Sequence, residues 1–178
     1  MRARWWSFLG AVIAYAAAAT WAAISGPDPF PTHFGLSGQP LTWSPRSDAV
    51  LMHALIAGGI AVLFAGLALV APRIPSSLIN TPRRDYWLSP AHRPRFDAIV
   101  SGFLLWTGGL VLLLRAATIV VTIIDVGETA AKATLLVLFL LAVVGSIGYL
   151  VWVLTHPPAR STARRSVSPD RSSIRSRR

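Results

Sequence analysis

Four apolar runs, each long enough to cross a bilayer, constrain this chain more than any other feature. They cover about residues 5–24, 49–71, 98–124 and 133–154. A spanning helix needs ~20 residues, at ~1.5 Å rise per residue. The first, second and fourth runs contain no Asp, Glu, Lys or Arg, and the third contains only Arg115. Backbone polar groups in hydrocarbon must be hydrogen-bonded within their own segment, which selects helices. Transmembrane strands would alternate polar and apolar residues over ~10 positions, and these runs do not. The expected fold is all-α: a four-helix transmembrane bundle over residues 1–156, with an ordered extracytoplasmic loop and a disordered Arg/Ser-rich tail at 157–178.

Charged residues make up 13% of the chain, about half of the ~25% typical of soluble domains. An ordinary soluble enzyme and a disordered protein are both excluded. There is no cysteine, hence no disulfide, thiolate metal site or cysteine nucleophile. Arg2, Arg4, Ala22 and Ala23 give the first run some likeness to a signal peptide. Its apolar stretch of ~20 residues exceeds the usual 7–15 of a signal core, so it reads as a retained helix.

The basic residues orient the bundle. Arg2 and Arg4 precede the first run; Arg73, Arg83, Arg84, Arg93 and Arg95 lie between the second and third; seven arginines follow from Arg160 onward. Only Arg46 and Lys132 fall on the other side. Both termini are therefore expected in the cytoplasm, with loops 25–48 and 125–132 outside, and Trp5, Trp6 and Trp21 suit an interfacial aromatic belt. The tail carries most of the +10 net charge. It reads as a solvated topology determinant that touches anionic lipid. A partner-binding or phosphorylated tail is the alternative. No aromatic residues interleave with the arginines, so nucleic acid is not expected as a partner.

Ala14, Ala18 and Ala22 in the first run, and Ala57, Ala61 and Ala65 in the second, recur at four-residue spacing. Such spacing lets helix backbones approach in lipid. Gly145, Ser146 and Gly148 offer the same in the fourth, although alanine abundance alone accounts for part of the pattern. The short connection between the third and fourth runs makes them antiparallel neighbours. No internal repeat supports an inverted-repeat transporter.

The loop at 25–48 is too apolar and too punctuated for a flexible linker. Pro27, Pro29 and Pro31 fix φ and favour extended backbone before them, while Gly35 and Gly38 permit turns. An ordered cap is expected, with Phe30, Phe34 and Trp43 at the bilayer interface or on the helix ends.

Two motifs in the loops carry a resemblance. The outer one is Pro31-x-His33-Phe34-Gly35-x-x-Gly38-x-Pro40-x-x-Trp43-x-x-Arg46. The inner one is Asn80-Thr81-Pro82-Arg83-Arg84-Asp85-Tyr86-Trp87-Leu88-x-Pro90. Flanking the second run in this order, they resemble the SdpI-like membrane proteins and their N-terminal module, the domain-of-unknown-function family 1648. The resemblance covers roughly residues 5–150. The chain departs from that pattern at Leu41 and Ala91, where relatives usually carry acidic residues. The resemblance implies a multi-pass protein of the bacterial cytoplasmic membrane. In the best-known members it implies immunity to a secreted toxic peptide, coupled to signalling through a captured repressor.

Arg115 is the main physical anomaly. It lies ~14 Å inside the outer end of its run at ~1.5 Å per residue. Insertion scales charge ~2.5–3.5 kcal/mol for arginine at a helix centre, and snorkelling reduces it. It is expected to face the bundle and pair with an internal partner or a ligand; snorkelling outward is the alternative. Asp125 is ten residues away, too far along one helix. Asp48, Asp28 and neutral His53 are the candidate partners. His33, Asp48, His53 and Arg115 form the hypothetical ligand-binding set. Each histidine reads first as a hydrogen-bonded structural residue and second as a ligand or proton group. No metal is expected, since no HxxxH or HExxH pair is present. Arg83, Arg84, Asp85, Tyr86 and Trp87 read first as a lipid-surface anchor, with docking of a cytoplasmic partner as the alternative. Asp97 marks the inner end of the third run.

No GxSxG, P-loop, GxGxxG or paired intramembrane carboxylates occur, so neither catalysis nor a cofactor is expected. The leading expectation is a binding or sensing protein of the envelope, with a peptide ligand outside and a protein partner inside. A small transporter or transporter subunit, using Arg115 and His53 along an anion or proton path, is the second. A structural subunit of a membrane assembly is the third. Oligomeric state is not legible.

Overall fold

A computed structural model describes residues 2–35, 39–124 and 129–157. Helix α1 (Arg2–Ser25) leads into a hairpin of β1 (Phe30–Phe34) and β2 (Pro40–Ser44). Helix α2 (Arg46–Val70) returns to the starting side. Two single 3₁₀ turns and the short helix α3 (Arg84–Trp87) then lead into α4 (Arg93–Ile124) and α5 (Thr129–Thr155). Four helices are long and apolar enough to cross a membrane, over Ala3–Ser25, Arg46–Arg73, Arg93–Ile124 and Ala130–Thr155. The expected all-α four-helix architecture is what forms. Gly38, Asp125 and the expected basic tail from residue 158 lie outside the described residues.

The packing is less even than four equal helices. Helices α1, α2 and α4 make the core, and α5 lies on the flank of α4. On α1 the buried positions are Phe8, Ala11, Tyr15, Ala18 and Ala22, and those on α4 include Leu105, Gly108, Leu112, Ala116 and Ile119. Both sets step by three and four, the seam of two helices lying side by side. The helices run parallel, so Phe8 meets Gly108 and Ala11 meets Gly109. Antiparallel α2 adds Phe64 against Gly108, and the Ser101 hydroxyl donates to the Ala68 carbonyl at 2.9 Å.

Small residues do mediate this packing, but not all the expected ones. Ala18, Ala22 and Ala57 are buried, whereas Ala14 is exposed. Gly145 and Gly148 are also exposed, and a Cβ at either would meet nothing within 4 Å. Helix α5 is apolar all round and buries none of its central window within the molecule, as expected of a segment whose solvent is lipid. The close approach is made instead at Gly108, where a Cβ would stand 2.6 Å from Phe64.

Helix α5 is fastened at its ends. At the hairpin end the Lys132 ammonium sits 3.8 Å over the Phe34 ring. At the arginine-rich end the Trp87 indole N–H donates to the Leu154 carbonyl at 2.8 Å, and Arg83 Nε donates to Thr155 at 3.0 Å. Both acceptors are C-terminal carbonyls that a helix leaves unsatisfied. Arg83 holds a left-handed backbone conformation (φ 51°).

This corrects the reading of Trp87 as a ring at the lipid surface, while Arg83, Arg84 and Asp85 of the same motif stay exposed. Trp87 is fully buried, beside Tyr86 and Phe96. Tyr86 stacks on His92 at 3.9 Å. Asn80, Pro82, Arg83, Arg84, Asp85 and Pro90 keep exposed positions. Arg93 pairs with Asp97 at 2.7 Å and also donates to the Ile74 carbonyl and the Ser76 hydroxyl. The inner loop is thus a folded plug tied to α4 and α5.

The ordered outer cap is a two-stranded antiparallel hairpin, pairing Phe30 with Ser44 and Pro31 with Trp43. Its register is irregular around His33, consistent with prolines that cannot donate to a ladder. Asp28 Oδ1 accepts the Arg46 backbone N–H at 3.2 Å, and the Arg46 guanidinium donates to the Gly26 carbonyl at 2.9 Å. The hairpin is therefore clamped at the junction of α1 and α2.

Candidate functional site

Beneath β1 lies a partly open cavity of about 250 Å³. Phe30, Pro31, Thr32 and Phe34 form its hairpin wall, and His53, Arg115, Thr118 and Thr122 supply its polar groups on α2 and α4. The two helices bring His53 and Arg115 together because they run antiparallel, so a residue two turns into α2 stands level with one near the far end of α4.

Arg115 Nη2 lies 2.6 Å from His53 Nδ1. A guanidinium only donates, so Nδ1 must accept, and the imidazole is neutral with its proton on Nε2. The other face of His53 meets Phe30 edge-on, with centroids 6.1 Å apart. Arg115 Nε is buried without a hydrogen-bond partner. Tyr15, buried on α1, turns its hydroxyl towards the same guanidinium without a well-formed hydrogen bond. Among the described residues the ion pair is Arg93–Asp97, and no carboxylate neutralises Arg115.

The site therefore holds a cation inside a membrane-spanning segment, restrained by a neutral acceptor and short of a counter-charge. An unpaired buried charge is costly. An entering anion would offset that, since a guanidinium bonds carboxylates and phosphates more strongly than neutral acceptors.

Of the four residues proposed from sequence, Arg115 and His53 meet. Asp48 does not join them, and His33 does not line the cavity, although it is near enough to act electrostatically on His53. His33 is on the exposed side of β1, in the irregular stretch of the hairpin. Asp48 is exposed in the first turn of α2, where Ser47 donates to it. It precedes His53 by five residues, ~140° around the helix at 3.6 residues per turn, so it cannot face the cavity with it. Asp28 caps α2 instead of meeting Arg115. No cluster of three or more His, Asp or Glu suited to a metal occurs among the described residues.

Sequence reasoning missed Tyr15, Thr118, Thr122 and the roof residue Phe30. Tyr15 carried a usable signal: it stands on the same small-residue face as Ala11, Ala18 and Ala22. The threonines carried none, because threonine is ordinary in membrane helices. In the outer motif, Pro31 and Phe34 line the cavity, while Pro40, Trp43 and Arg46 build or clamp the hairpin; Gly35 closes the turn by donating to Gln39 at 2.9 Å.

No protein-family model, curated protein or solved structure matches the chain.

Proposed function

We propose that the protein is a binding or sensing protein of the bacterial cytoplasmic membrane, with the hairpin outside and both termini in the cytoplasm. Its ligand is an anionic group, such as a peptide carboxylate, entering the cavity beneath the hairpin. The observation that carries this reading is Arg115: a guanidinium within a span, hydrogen-bonded to neutral His53 and otherwise short of partners. Resemblance to SdpI-like proteins, resting on the two loop motifs, favours a toxic peptide as the ligand and immunity or signalling as the outcome.

The inner loop then serves as the reporting element. Trp87 and Arg83 couple it to the end of α5, and α5 contacts the hairpin through Lys132 and Phe34. A ligand that moves β1 would reach the inner plug through that one helix.

A challenge assay tests the reading. Cells expressing the chain, or its Arg115→Leu variant, at matched membrane levels are exposed to membrane-active bacterial peptides. Protection by the wild type that the variant lacks supports immunity. Equal protection by both removes Arg115 from the function.

A further inference from the structure

At the opposite end of the bundle, Arg4 on α1 lies across α4 at Gly102. A Cβ at Gly102 would stand 2.7 Å from Arg4 Cδ and Nη1, so the missing side chain is what lets the guanidinium lie against the helix. Arg4 has no hydrogen-bond or ion-pair partner among the described residues, and neither does the Arg95 side chain.

Besides a hollow of about 540 Å³ that runs past Trp5, Arg73, Asp97 and Ser101, three others meet at Arg4. One, of about 490 Å³, holds Arg4, Arg95, Tyr149, Trp152 and His156. The second, of about 260 Å³, runs between α1 and α4 past Phe8, Leu105 and Leu113. The third, of about 290 Å³, runs between α4 and α5 past Phe103, Leu150 and Val153. Trp106 borders both apolar grooves and separates them. The polar hollow contains two arginines and no acidic residue, and it lies at the ends of the spans, where head groups reside.

We infer that this is a binding site for one anionic diacyl phospholipid, with the phosphate on Arg4 and Arg95 and an acyl chain in each groove. A basic pocket between transmembrane helices at the arginine-rich face suits an anionic head group. Tyr149 and Trp152 add the amphipathic rings that favour this depth. Two apolar grooves diverging from one cationic hollow match the shape of a two-chain lipid. The site is independent of the cavity at Arg115.

Native mass spectrometry of the full chain tests this, using detergent micelles doped with dioleoyl phosphatidylglycerol or dioleoyl phosphatidylcholine. One retained phosphatidylglycerol is expected in preference to phosphatidylcholine. In the Arg4→Gln/Arg95→Gln double variant, retention should fall by roughly thirtyfold, from the near-surface contribution of two arginines. Gly102→Leu keeps both charges but displaces Arg4, and should also lower retention. Arg171→Gln/Arg175→Gln removes the same charge from the tail and should change nothing. Equal retention in wild type and R4Q/R95Q, or an equal loss in the tail variant, overturns the site. Displacement by soluble glycerol phosphate would make it a phosphate site and overturn the lipid assignment.

Discussion

Arg115 Nη2 and His53 Nδ1 stand 2.6 Å apart, joining α4 to α2 within the apolar part of both helices. The pair is asymmetric. Removing His53 strands a cation, whereas removing Arg115 strands only a neutral ring. His53→Leu should destabilise the bundle by about 1–3 kcal/mol, the cost of an unsatisfied buried polar group. Arg115→Leu should leave it as stable or more so, because a charge that costs ~2.5–3.5 kcal/mol at a helix centre is gone. Thermal unfolding in detergent, measured on both variants, checks the order. A more stable His53→Leu than Arg115→Leu would contradict it.

The inner plug makes a second expectation. Trp87→Ala removes a fully buried indole and its bond to Leu154, and should cost about 3–5 kcal/mol. Trp87→Phe keeps most of the volume and should cost less. At Arg83, Gly should be tolerated better than Ala: both lose the bond to Thr155, but only Ala retains the left-handed strain of ~1–2 kcal/mol. Unfolding midpoints and protease sensitivity of the inner loop report both comparisons.

The glycines separate packing from mere smallness. Gly108→Ala forces a Cβ to 2.6 Å from Phe64 and 3.1 Å from Phe8, and overpacking of this kind costs about 1–3 kcal/mol. Gly145→Ala and Gly148→Ala meet open space and should be neutral or stabilising by up to ~1 kcal/mol through helix propensity. Detergent unfolding curves of the three single variants decide the matter.

These contrasts show what the sequence could and could not carry. Four spans were legible because uninterrupted apolar runs have few other solutions. The Arg115–His53 pair was legible in part, because a lone intramembrane charge demands a partner and few polar groups lay at its depth. The hairpin was legible as order but not as strands, since Pro31 and Pro40 argue against a ladder and only the fold shows they escape it. Trp87 was misread because a Trp beside arginines has the same local signature at a lipid surface as in a helix-capping plug. Gly145 and Gly108 likewise look alike in sequence; only the neighbour across the interface distinguishes them.

The proposed orientation rests on the arginine distribution and is checked by placing single cysteines in a chain that has none. Ser77→Cys and Ser168→Cys should resist a membrane-impermeant thiol reagent in intact cells and react in inverted vesicles. Thr42→Cys, on the exposed side of β2, should do the reverse. The opposite pattern would place the cavity on the cytoplasmic side.

The most direct test of the cavity needs no knowledge of its ligand. Thr118→Cys puts one thiol in the cavity beside Arg115, and its reaction rates with a negatively and a positively charged thiosulfonate are compared. The uncompensated guanidinium should make the anionic reagent faster by on the order of tenfold or more, and Arg115→Leu in the same background should abolish the preference. Equal rates with Arg115 in place, or a preference that survives its removal, would contradict an anion site beneath the hairpin.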